Sequence, residues 1–157
     1  MFRSIALAAL AALPFLVAAQ PAVAPVCPNT IPHEPILMFD VNGGTLAGPV
    51  DMQLTVYNDG SARVCKTQSI FGTSDARFTT VTPLAARQLV GDVAALGAGT
   101  LCDLDDFTSD VPTSTLTILR DATDTRARTF SWTGPSGNYG LIEQRLYAFI
   151  HAHFPGF

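Results

Sequence analysis

The chain has 157 residues, with 13 acidic and 9 basic side chains and a formal charge of −4. The basic residues are scattered singly and build no patch, which excludes nucleic acid and an anionic membrane as expected partners. Without the leader described next, about 138 residues remain, a length that suits one domain with a buried core.

Residues 1–19 have the three parts of a secretory signal: Arg3 as the only charge, an apolar run from Ile5 to Leu13, and small residues after Pro14. Val17-Ala18-Ala19 meets the small-x-small requirement of a signal peptidase and makes Gln20 the new N-terminus. The apolar run is too short to span a bilayer, so the leader is expected to be cleaved and to leave no membrane attachment. Ala24-Pro25-Val26 before Cys27 lacks the residues of a lipidation signal. An exported protein, periplasmic or extracellular, is the expectation. The leader takes Arg3 with it, leaving 8 basic groups against 13 acidic ones and a formal charge of −5.

Residues 20–35 hold Pro21, Pro25, Pro28, Pro32 and Pro35 and read as an extended lead-in. A single domain is expected over residues 36–157. Ile36 to Val41 reads as a buried strand stopped by Asn42-Gly43-Gly44. Val50 to Tyr57 alternates, with Val50, Met52, Leu54 and Val56 on one face. Asn58-Asp59-Gly60 is a tight-turn signal, and Ser61 to Cys65 returns as the second arm of a hairpin. Gln68 to Asp75 reads as loop, with a further strand expected over residues 77–81.

Thr82-Pro83 opens a helix with an N-cap hydroxyl and a first-turn proline. Leu84, Leu89, Val90, Val93 and Leu96 give it an apolar stripe, and Gly97 ends it. Thr113 to Arg120 alternates and pairs with Thr125 to Trp132 as a second hairpin. A last helix, Tyr139 to about His153, carries Ile142, Leu146, Phe149 and Ile150 inward. The expected fold is α+β: an antiparallel sheet of about five strands, with two hairpins, packed on one face by two α-helices.

Three cysteines leave one over in an oxidising compartment. The expected disulfide is Cys65–Cys102, with Cys27 bonding to one of the two as the rival pairing. No two cysteines have zinc-ligand spacing, and His151 and His153 point about 200° apart on their helix, so no metal site is expected. His33-Glu34 stands in the lead-in without a scaffold. Asp103, Asp105, Asp106 and Asp110 read as a solvated acidic loop, because the EF-hand's glycine and final glutamate are missing. No nucleophile motif occurs and Glu143 is the one glutamate of the folded part, so no catalytic residue is assigned and an enzyme is not expected.

Gly43-Gly44-Thr45-Leu46-Ala47-Gly48-Pro49 joins two strands and is longer than a tight turn needs. It reads either as a wide, bulged loop with Leu46 folded onto the core, or as a binding loop on a sheet edge. The glycine pair, the alternating strand, Asp-Gly, the return strand, the later helix, Thr115-Leu116-Thr117-Ile118 and the C-terminal helix resemble small bacterial proteins of the emfourin type. Emfourin inhibits protealysin, a thermolysin-like metalloprotease. The resemblance runs from Ile36 to Phe154, with Thr45-Leu46 where the family commonly has an aromatic residue. It implies a secreted binding domain without cofactor, whose Gly43, Gly44, Thr45, Leu46 and Gly48 meet a secreted metalloprotease. The alternative is an exported structural or interaction protein that uses its sheet or its acidic loop, with an enzyme behind both.

Overall fold

The structure is a computed structural model and describes residues 34–45, 48–68, 73–104, 111–119, 127–134 and 136–157. The expected leader and His33 lie outside these residues, as do Leu46 and Asp105, Asp106 and Asp110. Six strands form one antiparallel sheet: β1 (Pro35–Thr45), β2 (Gly48–Tyr57), β3 (Ser61–Gln68), β4 (Thr73–Thr80), β5 (Thr113–Ile118) and β6 (Arg128–Thr133). Their order across the sheet is β4-β3-β2-β1-β5-β6. A four-strand meander thus runs outward from β1 to the β4 edge, and α1 (Pro83–Val93) carries the chain back so that β5 pairs on the other side of β1. The α+β class stands, with six strands rather than five.

Two strands differ from expectation. β1 does not stop at Asn42-Gly43-Gly44 but runs through the glycines to Thr45, because β2 supplies pairing partners as far as Thr45↔Gly48. Cross-strand pairing overrides the weak strand preference of glycine. β4 begins at Thr73, inside the expected loop, and pairs with β3 from Gln68↔Thr73 to Ser61↔Thr80. Much of this edge strand is exposed, so its sequence lacks the alternation of a half-buried strand.

One face of the sheet carries Leu37, Phe39, Met52, Leu54, Val56, Ala62, Val64, Leu116, Ile118, Phe130 and Trp132 into a single core cluster with both helices. Trp132 lies parallel to Phe39 at 6.1 Å between ring centroids and to Phe130 at 5.5 Å. A fully buried side chain of this size contributes about 1.5–3 kcal/mol relative to exposure.

Thr82 caps α1, its Oγ1 accepting from Ala85 N at 3.1 Å, with Pro83 in the first turn. The buried stripe is Ala86, Leu89, Val90 and Val93. Leu84 instead faces solvent at 75% exposure. Its offset of five residues from Leu89 turns it about 140° away, and Ala86 completes the i, i+3, i+4, i+7 set. The helix widens into a π-type turn over Ala94–Ala98, where Gly97 reverses it at φ 92°. α2 (Gly137–His153) buries Ile142, Leu146, Phe149 and Ile150 as expected. Arg145 of α2 grips Asp92 of α1 through Nε at 2.8 Å and Nη2 at 2.7 Å.

Candidate functional site

The glycine-rich segment is the end of the β1–β2 hairpin. On the β1 side, the pairing with β5 ends at Asn42↔Thr113. On the β2 side, the pairing with β3 ends at Val50↔Gln68. Beyond those pairs, Gly44↔Pro49 and Thr45↔Gly48 have no further strand partner among the described residues, and Gly43 has none on the β5 side. The described part of the hairpin therefore runs two register pairs past its last described pair with β3 and three past its last with β5. The wide, bulged loop of the sequence reading is corrected here: the connection between Thr45 and Gly48 is two residues, Leu46 and Ala47. A strand register that continues to the tip leaves no room for a longer loop. Leu46 itself lies outside the described residues.

The two glycines of β1 have different reasons to be glycine. A Cβ on Gly43, whose φ is 155°, would stand 2.8 Å from Pro112 Cα, so the strand passes against the backbone that leads into β5. Gly44 has nothing within 4 Å of such a Cβ and is exposed. Gly43 thus anchors the base of the projection, and Gly44 leaves its flank bare. Gly43, Gly44, Thr45 and Gly48 are brought together as the last two described register pairs and the residue before them.

The cysteines do not pair as expected. Cys102 is a free, exposed thiol, whereas Cys65 is fully buried and disulfide-bonded. Cys65 belongs to β3, while Cys102 precedes Leu104, which bridges to Trp132 on β6. From β3 to β6 is four strand spacings, roughly 19 Å, whereas a disulfide joins Cα atoms within about 7 Å. Both cysteines lie inside the folded part, but the return of α1 places Cys102 at the opposite edge.

Asp103 does structural work: its Oδ1 accepts from Ser131 N at 2.8 Å and Ser131 Oγ at 3.2 Å, beside the Leu104 bridge. His151 and His153 contact different rings, Tyr147 and Phe149, in keeping with their divergence on the helix. Among the described residues no group of three His, Cys, Asp or Glu side chains could hold a metal ion. A shallow cleft of about 280 Å³ lies at the β4 edge, lined by Lys66, Thr73, Ser74, Asp75, Gly156 and Phe157.

One polar arrangement escaped the sequence reading. On the face of the sheet away from the helices, Arg63 Nη2 donates to Gln53 Oε1 at 2.8 Å, and Gln53 Nε2 donates to Asp40 Oδ1 at 2.7 Å. Burial pushes the Asp40 carboxyl above its usual range, partly offset by the Gln53 hydrogen bond. Arg63 is only 2% exposed, and its Nε and Nη1, like Thr55 Oγ1, have no hydrogen-bond partner among the described residues. The signal available in sequence was a single aspartate inside the apolar run 36–41, facing a glutamine in β2.

No protein-family model matches the chain, and no curated protein matches it in sequence.

Proposed function

We propose that this chain is an exported, non-enzymatic binding domain whose β1–β2 hairpin tip occludes a protein partner, a secreted metalloprotease, in the periplasm or the medium. The observation that carries this reading is that the pairs Gly44↔Pro49 and Thr45↔Gly48 lie beyond the last described pairs with β3 and β5. A hairpin whose strands are held in a six-strand sheet presents its end to a cleft with little ordering cost in those strands. Gly44 leaves one flank narrow, and Leu46 is by sequence the apolar residue of the two-residue connection. The resemblance to emfourin-type inhibitors points to the class of target. The test is inhibition of thermolysin-type metalloproteases from the same cell by the mature chain. Leu46→Asp should abolish inhibition, while Leu141→Asp, at an exposed position on α2, should not. Absence of inhibition at micromolar protein would refute the reading.

A second reading, an exported interaction protein without a protease target, is favoured by Phe78 on the β4 edge, which is 57% exposed. Capture of a partner that is lost with Phe78→Asp and retained with Leu46→Asp would select it.

A further inference from the structure

Both helices cover the face of the sheet that carries Phe39, Leu54, Val64 and Trp132. Thr55, Tyr57, Arg63 and Cys65 alternate with the core residues of β2 and β3 and therefore point the other way. Yet their exposures are 3%, 2%, 2% and 0%. Phe78, opposite Arg63 on β4, is by contrast 57% exposed. The hidden surface is thus a strip over β2 and β3, about as wide as one extended chain.

Three observations identify its occupant. Cys65, within the strip, is disulfide-bonded, while Cys102 is free, and the chain has three cysteines. Cys65 is wholly buried, which leaves no room for a second molecule to reach its sulfur. The chemistry also fits. The orphan groups Arg63 Nε and Nη1 are donors, and a proline-rich backbone offers carbonyl acceptors that its own chain leaves unused. The reach is sufficient as well. Pro35 lies opposite Tyr57, and Cys65 lies opposite Gln53, which in turn faces Asp40. The path from Pro35 to Cys65 is therefore five residues along the sheet and two strands across, roughly 20 Å. The eight residues from Cys27 to Pro35 span up to about 26–29 Å when extended.

We propose that the outer face of β2 and β3 is the docking surface of this chain's own proline-rich lead-in, residues 20–33, locked there by a Cys27–Cys65 disulfide. The bond forms by thiol–disulfide exchange with an oxidised dithiol carrier of the export compartment. The Cys27 and Cys65 thiols give up two protons and two electrons, one S–S bond forms, and the carrier's S–S bond breaks to leave it as a dithiol. Cys102 takes no part and remains a thiol.

The experiment uses the full exported chain. Thiols are alkylated without reduction, the protein is digested with trypsin, and the peptides are mapped by mass spectrometry. The expected result is alkylation at Cys102 alone and a crosslink between the peptide Val64–Lys66 and the peptide that holds Cys27. A link to Cys102, or alkylation at all three cysteines, overturns the bond. The cover is read separately by phenylglyoxal labelling of the native chain. Arg63 should be protected while the exposed Arg87 reacts, and reduction should raise Arg63 to the rate of Arg87 while circular dichroism shows the fold retained. Continued protection of Arg63 in the reduced, folded chain would show that another part of the molecule covers the strip, and the docking claim would fall.

Discussion

Arg63 and Asp40 stand two strands apart, and a single side-chain amide, that of Gln53, joins them across β3, β2 and β1. Each charge meets the end of the amide that suits it: the guanidinium donates to its oxygen, and the carboxylate accepts from its nitrogen. Gln53→Leu keeps the volume and removes both bonds, leaving Arg63 with none of the side-chain bonds described for it. The expected loss is about 1–3 kcal/mol, read as a lower urea midpoint with an unchanged slope.

Asp40 gives this row a pH dependence. Burial raises its folded-state pKa above the unfolded value, so the folded chain holds the proton more tightly. Stability is therefore lowered by Asp40 at neutral pH and recovers as the pH falls through the raised pKa toward the ordinary carboxylate range. Asp40→Asn keeps an oxygen for Gln53 and carries no charge. It should be at least as stable as the wild type at neutral pH, and its advantage should shrink on acidification to about pH 4. Urea unfolding of both proteins across that range checks the sign, and an advantage that grows toward acid would contradict it.

The hairpin base and its flank should respond differently to one added methyl group. Gly43→Ala places a Cβ against the Pro112 backbone at a φ that side chains rarely adopt. The cost should be about 1–3 kcal/mol. Gly44→Ala meets open space and should change stability by less than about 0.5 kcal/mol. Thermal unfolding of the pair separates the two roles. Equal effects would mean that the approach of β1 to Pro112 is not maintained in solution.

The corrected helix stripe gives a second such contrast. Leu89→Ala empties a wholly buried position of α1 and should cost about 2–5 kcal/mol. Leu84→Ala, five residues earlier and 75% exposed, should stay within about 0.5 kcal/mol of the wild type. Chemical denaturation measures both, and comparable losses would place Leu84 in the core after all.

What could be read from the residues was what depended on neighbours in sequence. The alternation of Met52, Leu54 and Val56, the Asn58-Asp59-Gly60 turn, the Thr82-Pro83 cap and the inner face of α2 all encode local geometry, and each formed as expected. What failed depended on who lies alongside. Gly43 and Gly44 end a strand by propensity but are held in one by β2. β4 has no periodic pattern because little of it is buried. Cys65 and Cys102 were the expected pair, yet the sheet order puts them near opposite edges. Thr55 and Arg63 alternate with the core residues of their strands, and nothing within a single strand reports that its outer face is hidden. The candidate site fared in the same way: its residues were legible as a cluster, but its shape came from where β3 and β5 stop.

The two rims of the sheet are unequal. Along β6, Leu104 accepts from Thr133 N and donates to Ser131 O, with Asp103 holding Ser131 N beside it, so the backbone groups at the middle of that rim are already spoken for. β4 has no such cover among the described residues. A sheet with one stoppered rim has a single valence. Among the described residues β4 is the one rim without such a bridge, so a second copy that joins through it uses that rim on both molecules, and association of this kind ends at a closed pair rather than a fibre.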